Sequence, residues 1–147
     1  MKSVWTPEVQ AELLARGASL RPDSVARWGR LTCPRMLVHV TDALAMYMGT
    51  IPVAVKRTPL LYAPLKQAVI YALPMPRNVP TARELLSREP GPWEDEQERF
   101  ASTLRSFCSL HSRVDWPLHP LFGRISPRAV GVLAYKHTDH HLRQFGA

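Results

Sequence analysis

Two histidines near the C-terminus, His137 and His141, are four residues apart in a segment whose pattern predicts a helix. At about 100° per residue they lie one above the other, on the face that also carries Val130 and Ala134 and ought to be buried. Two stacked imidazoles can chelate one divalent ion, but they do not complete a metal site. A third ligand has to come from elsewhere in the chain, and His39 is the best candidate.

The chemistry expected of such a group is that of an open metal site. Three neutral imidazoles around a divalent ion leave a coordination position for water or substrate, as catalytic sites do. The ion can lower the pKa of bound water, act as a Lewis acid or hold a thiolate as a nucleophile. Imidazole ligation suits Zn, Ni, Fe or Cu, and the sequence does not choose among them. The alternative interpretation is a helix end with solvated histidines.

Four further side chains are candidates for the surroundings of the ion. Asp42, about one helical turn after the candidate ligand of its own helix, could accept a hydrogen bond from that ligand or be solvated. Gln144 projects near His141 and could bind a ligand or a bound water. His119 could line the mouth of a cleft or be held by the proline after it. His140 lies about 80° from the stripe, so we do not expect it to share the ion.

Four segments with helical patterns must position these residues. Ser126 is a favoured N-cap, Pro127 fits a first helical turn and Gly146 suits a C-cap, so they predict the bounds of the last helix. The other three helices follow from apolar residues at helical spacing and from similar end signals. In order, the predicted helices run from Thr6 to Gly17, Thr32 to Gly49, Trp93 to Arg113 and Ser126 to Gly146.

A long, proline-rich connection separates the second and third predicted helices. A short apolar segment at 65–73 precedes its densest part, and we expect at most a turn of helix at 82–87. Because apolar residues interrupt it and Gly and Ser are few, it predicts an ordered crossover rather than a flexible linker. The prolines of that densest part are Pro74, Pro76, Pro80, Pro90 and Pro92. Without strand signals, the pattern predicts an all-α four-helix bundle.

Composition limits the function classes. A chain of 147 residues predicts one domain spanning 1–147, and 46% hydrophobic with 21% charged residues is ordinary for a soluble protein. The net charge of +7 comes from scattered basic residues without a basic cluster, so we expect no nucleic-acid partner, although the charge can attract an anionic substrate. With no membrane span or signal peptide, we expect a cytoplasmic protein. We expect Cys33 and Cys108 to be small core thiols.

Several stretches resemble a known family. The last helix, with His137-Thr138-Asp139-His140-His141 followed by Gln144, resembles the terminal helix of the DinB/YfiT-like superfamily. Its members are four-helix bundles in which one histidine from the second helix and two from the last bind a metal. More narrowly, residues 33–44, the loop 119–123 and the ending 135–146 are similar to a bacterial DinB-like subfamily whose reaction is not established. By position, the resemblance implies His39, His137 and His141 as the ligands.

The resemblance implies a divalent-metal-dependent enzyme acting on a small electrophilic substrate. Relatives include metal-dependent hydrolases, and transferases or isomerases that use mycothiol, bacillithiol or glutathione, so a low-molecular-weight thiol is a possible second cofactor. The lack of an evident general base weakens a hydrolase assignment. The alternative is a non-catalytic binding or stress-associated protein that holds metal weakly or not at all. DinB-like bundles often pair, and a homodimer could form through exposed Met46, Met48 or Met75.

Overall fold

A computed structural model describes residues 1–77 and 82–147 of the chain. Over these residues the protein is helical and has no strand, which confirms the predicted all-α class. The helices are α1 (Pro7–Ser19), α2 (Cys33–Met48), the short α3 (Leu65–Gln67), α4 (Trp93–Ser109) and α5 (Pro127–Gln144). A π-helical turn (Ala68–Ala72) continues α3, and two 3-10 turns are formed by Pro59–Leu61 and Arg83–Leu86. No described helix is long and apolar enough to span a bilayer.

The four long helices enclose a common core. Helix α4 contacts α1 and α2, and α5 contacts the same two helices. Helix α2 is the most enclosed, because 12 of its 16 residues are buried. Its polar side chains must therefore find partners inside the protein. Both cysteines, Cys33 and Cys108, are buried as predicted, and burial raises the pKa of each thiol to about 11.

The two helices that carry the candidate ligands begin as their sequences predict. The hydroxyl of Thr32 accepts the N–H of Arg35 at the start of α2, and that of Ser126 accepts the N–H of Ala129 at the start of α5. Each helix also has proline in its first turn. Helix α2 is capped at its C-terminal end by Gly49, whose φ of 90° lies in the left-handed region that glycine adopts without strain. These end signals set the bounds of the two helices, and the spacing of their apolar residues sets which face is buried.

Two other predicted helix ends were wrong. Helix α1 continues past Gly17 to Ser19, and Gly17 is buried. A Cβ at Gly17 would lie 2.4 Å from Cε1 of Phe100, so the glycine allows α1 and α4 to approach closely instead of ending a helix. Helix α4 ends at Ser109, and Arg113 lies beyond it.

The connection between α2 and α4 contains the short helical pieces and little else of regular structure among its described residues. The predicted turn at 82–87 is present as the 3-10 turn, whereas Pro80 lies outside the described residues. Lys136 of α5 ties the connection to the core, because its ammonium donates to the carbonyls of Val69, Ile70 and Leu73. These bonds satisfy carbonyls at the end of the π-helical turn.

Candidate metal centre

His39, His137 and His141, hereafter the histidine cluster, converge where α2 faces α5. Nε2 of His39 lies 3.1 Å from Nε2 of His137, although 98 positions separate them in the chain. One ligand nitrogen from each residue of the cluster lies within 4.8 Å of the other two. Nitrogens bound about 2.0 Å from one tetrahedral ion are about 3.3 Å apart, so shared coordination requires the most distant of these nitrogens to approach by up to about 1.5 Å.

Hydrogen-bond acceptors determine which ring nitrogen carries the proton in two of these residues. Nδ1 of His39 faces the carbonyl oxygen of Leu85 at 3.4 Å, and Nδ1 of His141 faces Oε1 of Gln144 at 2.9 Å. The Gln144 amide donates to the Trp28 carbonyl at 2.6 Å, which leaves its oxygen for His141. Because these oxygens only accept, both Nδ1 atoms carry the hydrogen. Both Nε2 atoms keep the lone pair that a metal needs.

The electrostatic environment keeps the cluster neutral. Burial lowers the pKa of His39, and burial together with the neighbouring His39 lowers the pKa of His141 to about 3. The pKa of His137 is well below its ordinary value because the ring is buried beside the other two. Neutral imidazole is the form that binds divalent ions. The tautomers of His39 and His141, and the neutral charge of all three rings, therefore fit a divalent cation.

The histidine cluster lines a cavity of about 840 Å³. Both predicted cleft residues, His119 and His140, line it as well. The ring of His140 packs edge-on against His141, with centroids 5.1 Å apart, and against Trp28 at 5.5 Å. His140 therefore supports the edge of the cluster and is not one of the converging residues.

Two of the three methionines that were predicted to form an exposed dimer seam line the cavity instead. Met46 is buried and lines the cavity, so the expectation that it is exposed was wrong. Met75 also lines the cavity. The reason for the error is the position of Met46 on α2, seven residues after His39, which places it on the same face of the helix.

Asp42 forms no hydrogen bond with His39 among the described residues and belongs to a separate cluster of charged side chains. Arg88 donates through Nε to Asp42 at 3.3 Å and through Nη1 to Glu96 at 2.6 Å. Glu96 also accepts the N–H of Gly91 at 3.0 Å. A guanidinium attracts a carboxylate more strongly than a neutral imidazole does, so Asp42 pairs with Arg88. The carbonyl oxygen of Leu85, and not the carboxylate of Asp42, accepts the hydrogen bond from His39.

Sequence reasoning missed two contributors to the site. The Leu85 carbonyl is a backbone atom of a 3-10 turn, and no residue type signals its use. Tyr47, which lines the cavity, does carry a signal, because it lies about two helical turns after His39 on α2, within the range of a broad inward face.

The chain was also compared with known proteins. No family model, curated protein or solved structure matches it. The resemblance to the DinB/YfiT-like superfamily therefore stays a prediction.

Proposed function

We propose that the chain is a metal-dependent enzyme of the DinB-like four-helix-bundle type. In this proposal the histidine cluster holds a divalent ion, Zn, Ni or Fe, at the wall of the cavity. The single observation that carries it is the convergence of three neutral imidazoles from α2 and α5 within 4.8 Å. A purely structural histidine cluster has no need of such convergence or of an adjoining cavity.

When bound, the ion supplies Lewis acidity and activates water or a low-molecular-weight thiol for attack on a small electrophile. The chain contributes orientation and exclusion of water. Leu85 and Gln144 hold the rings of His39 and His141 by their Nδ1 hydrogens. Apolar side chains such as Ala43, Met46 and Leu133 form much of the cavity wall. Such a wall shields a reactive electrophile and a thiolate from solvent.

The lining of the cavity favours a thiol nucleophile over water. Among the described residues that line it, none is Asp or Glu, both ring nitrogens of His119 are hydrogen-bonded, and His140 is the one histidine outside the cluster left as a candidate base. Hydrolysis of a stable bond generally uses a general base beside the attacking water. A thiol held by a metal is already deprotonated and needs no such base. We therefore propose thiol transfer as the principal activity and hydrolysis as the second candidate.

Metal content tests the binding half of the proposal. Chain purified without a histidine tag and loaded with zinc is expected to retain about one ion after dialysis. His137→Ala and His141→Ala should lose it, whereas His111→Ala should not, since His111 is exposed beyond the end of α4. Substoichiometric metal that the cluster variants leave unchanged would favour the non-catalytic alternative.

A conjugation assay tests the chemical half. The metal-loaded chain is incubated with monochlorobimane and, in turn, glutathione, bacillithiol or mycothiol, while nitrophenyl acetate without thiol reports hydrolysis. We expect metal-dependent conjugation with at least one thiol. Hydrolysis alone would select the second candidate. Full metal occupancy without either activity would contradict an enzymatic role towards these substrates.

A further inference from the structure

The end of the cavity away from the histidine cluster contains a second polar group, formed by Tyr47, His119 and Lys56 and called here the distal end. All three line the cavity. Tyr47 lies eight residues after His39 on α2, which corresponds to roughly 12 Å along the helix axis. The distal end is therefore about two helical turns from the histidine cluster along α2.

Backbone hydrogen bonds fix the tautomer of His119. Its Nδ1 accepts the N–H groups of Leu121 at 3.1 Å and Phe122 at 3.3 Å, so the ring hydrogen is on Nε2. That Nε2 lies 3.4 Å from the hydroxyl oxygen of Tyr47 and donates to it. Tyr47 accepts this hydrogen bond, so its own hydroxyl hydrogen is not donated to His119.

Both members of this pair are neutral. Burial lowers the pKa of His119 to about 4 and raises the pKa of Tyr47 well above its usual range. Tyr47 therefore keeps its hydrogen, and His119 can only donate to it. The Tyr47 hydroxyl can therefore donate a hydrogen bond to another acceptor. A ligand in the cavity could supply that acceptor.

Lys56 brings positive charge to the same end. Its backbone N–H donates to Pro120 at 2.8 Å, and Thr58 donates to Leu121 at 3.1 Å, so its segment is attached to the loop of His119. None of the ion pairs between described residues involves Lys56. No described Asp or Glu lines the cavity to compete with an anionic ligand.

We propose that the distal end binds the carboxylate of an apolar ligand, with Tyr47 donating a hydrogen bond and Lys56 supplying charge. The substrate class is then a monocarboxylate whose apolar body lies along α2 and whose reactive group reaches the histidine cluster. This inference rests on the proposed function only where it calls the ligand a substrate. Carboxylate binding at the distal end requires no ion.

Calorimetric titration with phenylbutyrate and with phenylbutanol tests the inference on the full chain. The chain is first treated with a chelator so that no ion competes for the carboxylate. The wild type should prefer the acid about tenfold, the effect of a hydrogen bond to a charged group. Tyr47→Phe keeps the ring against Phe107 and should abolish most of this preference.

Two further variants isolate the other contributions. Lys56→Gln should reduce the preference several-fold, while Arg57→Gln, an identical charge change at a residue that does not line the cavity, should leave it unchanged. His119→Asn keeps an acceptor for the two backbone N–H groups but removes Nε2. It should reduce the preference because the Tyr47 hydroxyl is no longer oriented.

The outcomes separate this inference from the proposed function. Equal affinity for acid and alcohol in the wild type, or a preference unchanged by Tyr47→Phe and Lys56→Gln, would overturn the inference, whatever the metal content. A preference that persists in His137→Ala and His141→Ala supports it even if the chain binds no metal. Circular dichroism melting curves establish that each variant is folded before its titration is interpreted.

Discussion

At the scale of single residues, the histidine cluster depends on where two ring protons reside. Leu85 and Gln144 accept the Nδ1 hydrogens of His39 and His141, which turns both Nε2 atoms into ligand atoms. The amide of Gln144 is itself held by Trp28. Hydrogen-bond partners of metal-bound histidines typically contribute 10- to 100-fold to metal affinity.

Replacing Gln144 by Leu should therefore weaken zinc affinity about 10- to 100-fold, because His141 loses its acceptor. Competition with a chromogenic chelator measures the change. Gln97→Leu is the matched control, since Gln97 also donates to main-chain carbonyls but at the end of α1. If both variants bind zinc as tightly as the wild type, Gln144 has no role in holding the ligand.

Burial of His119 predicts a dependence of stability on pH. Its pKa is about 4 in the folded protein and about 6.5 when unfolded, so the unfolded chain binds a proton first as pH falls. This residue's contribution is fully present above pH 6.5 and is lost towards pH 4. Urea denaturation of the metal-free chain should show wild type losing about 2 kcal/mol more than His119→Asn between pH 7.5 and 5. Parallel curves for the two proteins would refute this assignment.

Residue types and spacing predicted much of the cluster. The four-residue interval between His137 and His141 places them on one face of a helix whatever the rest of the chain does. Asp42 was a reasonable candidate by spacing, but it pairs with Arg88, and spacing along one helix cannot anticipate a cation from a distant loop.

At the scale of helices, the sequence correctly predicted those helix ends that are stabilised by a side chain of the same segment. Thr32 and Ser126 cap α2 and α5 with their side chains, which is a local interaction legible in the sequence. Gly17 looked like the same kind of signal. Its actual role is contact with Phe100 of another helix, and tertiary packing of this kind leaves no local pattern.

This role of Gly17 can be tested by Gly17→Ala. Helix propensity alone predicts a gain of about 1 kcal/mol, since alanine favours helix. The new Cβ would lie 2.4 Å from the buried Phe100 ring, so we expect a net loss of about 1–3 kcal/mol in the free energy of unfolding. Gly91→Ala serves as control, because its Cβ would meet only Glu96 Oε1, at 3.4 Å. If Gly17→Ala raised the free energy of unfolding, the Phe100 ring would have moved aside at little cost, and the proposed role of Gly17 would be contradicted.

At the scale of the whole molecule, the site arises from the contact between α2 and α5, which are far apart in the chain. The connection between α2 and α4 adds the Leu85 carbonyl on one side. The sequence predicted the helical class and the helices that carry the ligands. It could not predict the cavity, because volume between helices depends on how every side chain packs.

X-ray absorption at the zinc edge tests shared coordination by the histidine cluster most directly. The tag-free chain carrying one equivalent of zinc is measured beside His39→Ala, His137→Ala, His141→Ala and the neighbouring control His140→Ala. We predict about three imidazoles at about 2.0 Å in the wild type and the control, and fewer in each cluster variant. One imidazole or none in the wild type, or a count that all the cluster variants leave unchanged, would contradict the account.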